Sequence, residues 1–566
     1  MMRYTSNLSL FILCVMASMP SRGDDSTLTE TSSDEPSMLT DGEAFEREDT
    51  SPKLTQKKLI RKIVVSSNPI FDESDPDAFF IHRWANYLHI NTREATIINK
   101  LSLATGDRIT QKNLDEAQRL LRYEPYIRDA KVSLVEKAPD SDITEEGDTL
   151  LVETWDNWSL LPTLSLSHSG GESKYSIGIK EDNLLGYGIR TRVKYKSDAD
   201  RSGYKISLEA PLDSFIKHSK VAFNYQDNSD GEATQFYFNK PFYTLDTQDM
   251  YSAMYSDDLR VDTLRQNGID INEFEQQHDF NNVMYGWQVS KSDNSRTRII
   301  TGITQDKSQF ANVEQYPDSA LPQDRDFLYP WLAYEFLQDD FKVLNNIHLI
   351  NYNEDFNLGW HHYFKLGLET QDISDSSPVG YHLNWKTTRG YQADTELLLL
   401  GFDGEGAFST SQKDFYKVNL SAEYFHQISP KWTAYVKTRL SKSRNNYLDK
   451  TFALGDDTGI RGYPNDYQHG DNQWLFTTEI RNYPNINLYQ LAELGWAAFV
   501  DVGQAYGGPD ENNEISGPIG SIGVGARIYS SRSSYGNVAH IDFSFPFTSG
   551  VEVNSWEWRF QVRNRF

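Results

Sequence analysis

The chain is poor in the features that mark most function classes. It has one cysteine, Cys14, in 566 residues, which excludes a disulfide framework and a cysteine-built metal site. Beyond the first two dozen residues no apolar run approaches the ~18 residues that a membrane helix needs, and mean hydropathy is −0.61. A helical membrane protein is therefore excluded. Positive charge is scarce: 55 Lys and Arg stand against 81 Asp and Glu, a net charge of −26, so nucleic acid is not a partner. The phosphate-cradling Gly-x-x-x-x-Gly-Lys, the zinc-binding His-Glu-x-x-His and the nucleophile turn Gly-x-Ser-x-Gly are all missing. No enzyme activity, cofactor or metal is expected.

Weaker chemical signals dissolve on inspection. His361 and His362 are neighbours in a strand and must face opposite ways. Asp227, Ser229, Asp230 and Glu232 lack the ligand spacing of a calcium loop. Gly520, Gly523 and Gly525 have no helix after them and so cannot open a dinucleotide fold.

What the chain does have is aromatics and alternation. Tyr 32, Phe 30 and Trp 12 make up 13% of it, far above what a disordered chain of this polarity carries. From about residue 157 onward short alternating segments are separated by Asp, Asn, Ser and Gly. In the last one Trp556, Trp558, Phe560 and Val562 share a face, and Glu557, Arg559, Gln561, Arg563 and Arg565 share the other. The split recurs in Trp432, Ala434, Val436 and Leu440 against Thr433, Tyr435, Lys437 and Arg439, and in Ile541, Phe543 and Phe545 against His540, Asp542 and Ser544. Faces so charged fit water inside and lipid outside, the pattern of an outer-membrane barrel. About twenty segments alternate in this way; with some of them assigned to loop hairpins, the expectation is an all-β transmembrane barrel of about 16 antiparallel strands over residues 157–566.

The amino-terminal part reads differently. Arg3, an apolar stretch from Leu8 to Met16, and Ala17 and Ser18 form the three-part pattern of a secretory signal peptide, expected over residues 1–21. Cys14 lies inside it, and Phe11, Ile12 and Leu13 lack the small residue that precedes a lipidated cysteine. Residues 22–56 form an acidic tether: positions 24–53 hold ten acidic residues against two basic ones, too polar to order themselves. Residues 57–156 read as an α+β domain. Leu59 to Val65 suits a strand. Asn91 with Glu94 opens a helix carrying Ile97, Ile98 and Leu101 on one face. Thr110 caps another that buries Leu114, Ala117, Leu120 and Leu121. Two strands follow around Lys131 to Val135 and Thr149 to Trp155, giving β-α-α-β-β. An extra amphipathic segment at 77–88, with Phe79, Phe80, Trp84, Tyr87 and Leu88, is either an added contact surface for a periplasmic partner or a core helix, and its apolar spacing favours packing as a core helix.

Three sets of residues then resemble one architecture, a POTRA domain followed by a bacterial surface-antigen barrel. This is the superfamily of outer-membrane protein insertases and two-partner-secretion transporters. The first set runs from Asn86 to Glu94, through Gly106 and Asp107, to Asn113 to Arg122, Pro125, Tyr126 and Arg128 to Ala130, similar to the single-POTRA branch. The second is the barrel entry, Trp158 to Pro162 and Asn183 to Gly188. The third and most specific is Ile460, Arg461, Gly462 and Tyr463, similar to the family's Arg-Gly-aromatic loop motif. It is joined by Phe499, Asp501 and Gly503, similar to the Phe-x-Asp-x-Gly strand motif that the loop contacts. Period two turns Asp501 into the lumen and puts Glu479 on the inner face of its own strand with Thr477 and Arg481.

The resemblance implies that Arg461 pairs with Asp501, and further with Glu479, to pin a long extracellular loop inside the barrel. The terminal alternation of Trp558, Phe560, Val562 and Phe566 is then the signal by which such barrels are recognised for assembly. It implies insertion, assembly or translocation of β-rich polypeptides, captured by strand addition to the POTRA sheet and passed to the seam between first and last strands. The partners implied are that polypeptide, outer-membrane lipid around the barrel, and a possible periplasmic chaperone or accessory protein at the POTRA domain. The location implied is the cell outer membrane with the POTRA domain in the periplasm. Two alternatives stay open: a transporter dedicated to one secreted partner, although such transporters typically have two POTRA domains and a plug helix, and a passive pore.

Overall fold

A computed structural model of the chain describes residues 54, 56–74, 78–135, 148–317, 320–369, 379–508, 511–533 and 538–563, all within the one compact unit Glu43–Phe566. The expected signal peptide lies outside the described residues, as do Phe566 and nearly all of the expected tether.

The small domain has strands β1 (Lys58–Asn68), β2 (Arg108–Ile109), β3 (Ile127–Val135) and β4 (Asp148–Asp156), and helices α1 (Phe80–Leu88), α2 (Glu94–Lys100) and α3 (Gln111–Arg122). The sheet order is β2-β1-β4-β3. β1 runs parallel to β4 and β3 antiparallel to it, which leaves β3 at one edge. Thr110 caps α3, and the helix buries Leu114, Ala117, Leu120 and Leu121, with Leu114, Ala117 and Leu121 packed in one core with Ile60, Ile97, Leu150 and Val152. The order differs from the expected β-α-α-β-β by α1 and the two-residue β2.

Two local expectations fail for physical reasons. α2 starts at Glu94, with Arg93 rather than Asn91 at its cap. Thr92 is held extended because its N–H and hydroxyl both donate to Asp156, at 2.7 and 2.9 Å, so the chain cannot enter the helix before Arg93. Ile98 is consequently left at the surface. α1 does not pack as a core helix: it buries His82 and Ala85 and leaves Phe80, Trp84, Tyr87 and Leu88 exposed.

After Trp158 the chain closes into an antiparallel barrel of 20 strands, not 16. The first is Leu160–Ser169 and the last Glu557–Arg563, and the two-residue strand Asn487–Leu488 extends one turn. The two non-barrel hairpins pair Phe341–Asn345 with Asn353–Asn357 and Phe452–Leu454 with Gln468–Gly470. With at most 5 residues per strand they are too short to span, since a crossing takes about 9–11 residues. The longer alternating segments all join the wall.

The alternation sets the two faces. Ile177, Val283, Ile303, Ile522, Val524, Phe543 and Phe545 point outward and are exposed, whereas Ser521, Arg527, His540, Asp542 and Ser544 point inward and are buried. Apolar side chains outside and polar ones inside, on a wall with no free edge, are what a bilayer requires.

Candidate functional site

The connection 445–471, between strands Trp432–Arg444 and Asn472–Asn482, leaves the barrel at the end opposite the small domain and folds back into the lumen. Leu454, Ile460, Tyr463 and Tyr467 pack there against Leu475, Ala505 and Ile519 of the wall. The Arg461 guanidinium forks onto Asp501, Nε to Oδ2 at 2.6 Å and Nη2 to Oδ1 at 2.8 Å. Its Nη1 reaches Glu479 Oε1 at 2.9 Å. Its plane lies 3.4 Å from the ring centroid of Phe499, and Thr477 Oγ1 donates to Asp501 Oδ1 at 2.9 Å. One cation thus meets two carboxylates and an aromatic face, and Asp501 is fully buried. Bidentate and stacked together, this is an arrangement that arginine can make and lysine cannot.

The loop's own backbone permits the approach. Gly462 has φ +91°, a left-handed conformation open to glycine, and a Cβ there would come within 2.9 Å of Ser544 Cβ. Its N–H donates to Asp456 Oδ1 at 2.8 Å. Gly503 faces Ile460 and Leu454, and a Cβ would stand 3.2 Å from each. Tyr463 donates its hydroxyl to the Gly520 carbonyl at 3.0 Å. Ile460, Arg461, Gly462, Tyr463, Phe499, Asp501, Gly503 and Glu479 are therefore brought together in one cluster.

The structure adds groups that sequence reasoning did not single out. Asp456, buried in the same loop, faces Arg559 of the last strand at 3.4 Å. Its neighbour Asp457 meets Lys174 of the second strand at 2.8 Å, and Asn465 Nδ2 donates to Glu172 at 3.1 Å. The loop is consequently strapped to both sides of the junction between first and last strands. That junction itself is thin: among the described residues Phe560 and His168 are its one ladder pair, whereas the last strand makes seven with its other neighbour. Side chains supplement it. His168 Nε2 lies 2.8 Å from Glu557 Oε1, and its ring stacks on Trp558 at 4.7 Å. Trp558 and Val562 face outward.

A second insertion comes from the small-domain end. The hairpin within 339–358 packs Leu344, Ile347 and Leu358 on Leu397, Phe425 and Tyr435 of the inner wall. Arg481, bound through Nε to Glu479 Oε2 at 2.9 Å, donates to the Ile347 carbonyl at 3.1 Å. Farther along, Asp355 takes a bidentate pair from Arg122 of α3 at 2.9 and 2.6 Å, and Tyr352 donates to the Arg128 carbonyl on β3 at 3.2 Å. A run of polar contacts therefore joins Arg461 to the small domain. Other turns hold that domain too. Tyr243 donates to the Lys100 carbonyl at 2.8 Å and stacks on His218, whose imidazole is pushed down to about 4 by burial and then by Lys217, Lys100 and Lys240. His218 is in a turn, outside the membrane-spanning strands.

Residues 356–528 match the family model described as haemolysin secretion/activation protein ShlB/FhaC/HecB. The matched stretch contains Arg461, Glu479 and Asp501, and stops short of the last strand. Among the described residues no cluster of side chains could hold a metal ion.

No curated relative matches the sequence. CdiB from Acinetobacter baumannii aligns at 13% identity and TM-score 0.46, covering 90% of this chain and 74% of that one. BamA from Haemophilus ducreyi lacking POTRA domains 1–3 aligns at 13% and 0.36, covering 89% and 84%. The FrpB iron transporter from Neisseria meningitidis reaches 0.39 at 8%, covering 77% and 87%.

Proposed function

We propose that residues 57–156 act as a single periplasmic POTRA domain that takes an extended, β-rich polypeptide onto the sheet edge at β3. The polypeptide is then handed to the seam between the strands Leu160–Ser169 and Glu557–Arg563, while Arg461, held by Asp501 and Glu479, keeps the long loop seated beside that seam. The single observation that carries this reading is the contrast in pairing: among the described residues, one ladder pair across the seam in a wall whose other junctions are zipped. A strand edge that pairs weakly with its own neighbour is a ready template for another chain.

A dedicated secretion role is the second reading, favoured by the description of the matching family model. It requires the lumen to be cleared, since the loop and the hairpin within 339–358 both occupy it. The test is a reversible staple. Phe560→Cys with His168→Cys joins a directly opposed pair, close enough for a disulfide. Oxidation is expected to stop delivery of a β-rich substrate and reduction to restore it. Unchanged delivery through a stapled seam would refute seam transfer and leave passage through the lumen.

A further inference from the structure

Among the described residues nothing covers the aromatic face of α1 beyond the edge contact of Phe80 with neighbouring Phe79, although the helix itself is rigidly placed. His82 Nε2 binds the Tyr489 carbonyl at 2.7 Å, and its ring stacks on Phe71 at 4.3 Å. Asn86 exchanges hydrogen bonds with the Phe71 backbone, at 3.1 and 2.9 Å. Ala85 packs in a cluster with Ile70, Phe71, Trp158 and Leu491, apart from the core of the small domain. The helix is thus fastened to the barrel rim by one face, and presents Phe80, Trp84, Tyr87 and Leu88 on the other, exposed by 69, 60, 84 and 42%. At 100° per residue these four fall within one third of the helix circumference.

We propose that this face lies in the phospholipid interface of the leaflet nearest the small domain, as a short monotopic contact beside the barrel. Continuity with the lipid-facing surface carries the assignment. Phe79 meets Tyr489 at 5.2 Å between ring centroids. Tyr489 stands in a turn that also exposes Ile486 and Leu488, and the strand leaving that turn exposes Trp496, whose neighbour across Asn482 is the exposed Trp432. An outward tryptophan pair at one end of a barrel wall is an interfacial girdle, and α1 continues it below the rim. Trp and Tyr are the side chains that favour this zone, with an apolar body and a polar tip.

The helix carries Arg83 beside the stripe and has no carboxylate of its own. Of the acidic residues before it, Asp72 accepts from Ser74 and Glu73 from Asn86, while Asp75 and Asp77 lie outside the described residues. Nine residues are few for an autonomous interfacial helix, but attachment to a membrane-spanning barrel supplies the local concentration that free association would need. A helix also offers no strand edge, so a β-rich substrate gains no backbone pairing here.

The experiment places a polarity-sensitive nitrobenzoxadiazole label at single cysteines in the full chain bearing Cys14→Ser, reconstituted in phosphatidylethanolamine–phosphatidylglycerol vesicles with lipids spin-labelled near the headgroup. Three sites are compared: Trp84→Cys, Tyr123→Cys at the exposed C-terminal end of α3, and Ile522→Cys on the barrel's outer face. The expected result is blue-shifted emission and several-fold stronger quenching at 84 than at 123. Water-like emission and weak quenching at 84 with strong quenching at 522 would overturn the proposal alone; weak quenching at 522 as well would overturn the transmembrane reading on which it rests. Protection at 84 that appears only when a polypeptide is added would assign the face to protein and overturn it.

Discussion

The loop site and the strand seam lie in the same quarter of the barrel, yet they are held by opposite means. At the loop, Arg461 is saturated by two buried carboxylates and a ring, every group placed by a well-zipped strand. At the seam, among the described residues, one backbone pair is assisted by a histidine that bridges to Glu557 and stacks on Trp558. A barrel with a free edge in lipid is prohibitively costly, so a thin seam is tolerable only where something else holds the wall together. The comparison teaches that stiffness has been concentrated in the loop that lies across the weak junction.

Removing the strong side should produce the largest effect. Arg461→Ala leaves Asp501 buried without its cation, while Glu479 keeps Arg481, a loss of about 3–5 kcal/mol for breaking a buried pair. The expected outcome is a barrel that still assembles, read as a heat-modifiable band on a gel, while residues 445–471 become open to protease. Arg461→Lys should rescue poorly, because the fork and the stacking are lost. A protease-resistant loop in Arg461→Ala would show that Ile460, Tyr463 and Tyr467 suffice to seat it.

Arg559→Ala comes next. It strips the ion partner from buried Asp456, but Asp456 keeps the Gly462 N–H, so the cost should be smaller, about 1–3 kcal/mol for an underpartnered buried group. Thermal unfolding in detergent would measure it. Coupling with Arg461→Ala in a double mutant should be non-additive, since both changes free the same loop. Strict additivity would mean that the two straps act independently.

How much of this was legible beforehand depended on whether local pattern decided the outcome. Trp558 against Arg559 and Phe543 against Asp542 named the faces of the wall, because period two and a bilayer leave one solution. Strand number was not legible: alternation in Phe341–Asn345 looks the same as in a wall strand, and length and pairing, rather than pattern, exclude it. Arg461 and Asp501 were reached through a recognisable loop and strand motif plus a count of faces. Asp456, Arg559 and Arg481 were missed because a face count places a side chain in the lumen without telling which loop arrives there. The pair Asp456 and Asp457, just before the Arg461 motif, was the available signal. α1 shows the same limit: its amphipathic spacing was visible, but spacing gives a direction and not what lies on that side.

The weak side of the comparison can be sharpened with His168→Ala. It removes the bridge to Glu557 and the stack on Trp558, worth about 1 kcal/mol together for a partly exposed contact. The main ladders are untouched, so global unfolding should shift little. Hydrogen exchange should instead rise in Leu160–Ser169 and Glu557–Arg563 and nowhere else. Uniform exchange across the wall would place the opening somewhere other than the seam.

The smallest effect is expected at Lys174→Ala, and it decides which way the loop travels. The loop grips the last strand through Arg559 and Asp456, both buried, and the second strand through Lys174 and Asp457, each about one third exposed. An exposed pair contributes about 0–1 kcal/mol, so Lys174→Ala should leave melting and loop protection close to the parent values. If the seam opens, the cheaper bond is the one to break, and the loop must remain with Glu557–Arg563 while Leu160–Ser169 and Glu172–Leu184 swing away. Cysteine pairs linking the loop to position 559 or to position 174 would test that asymmetry: a link to 559 should leave substrate delivery intact, and a link to 174 should arrest it. Equal arrest by both would mean that the loop has to leave both strands before anything passes.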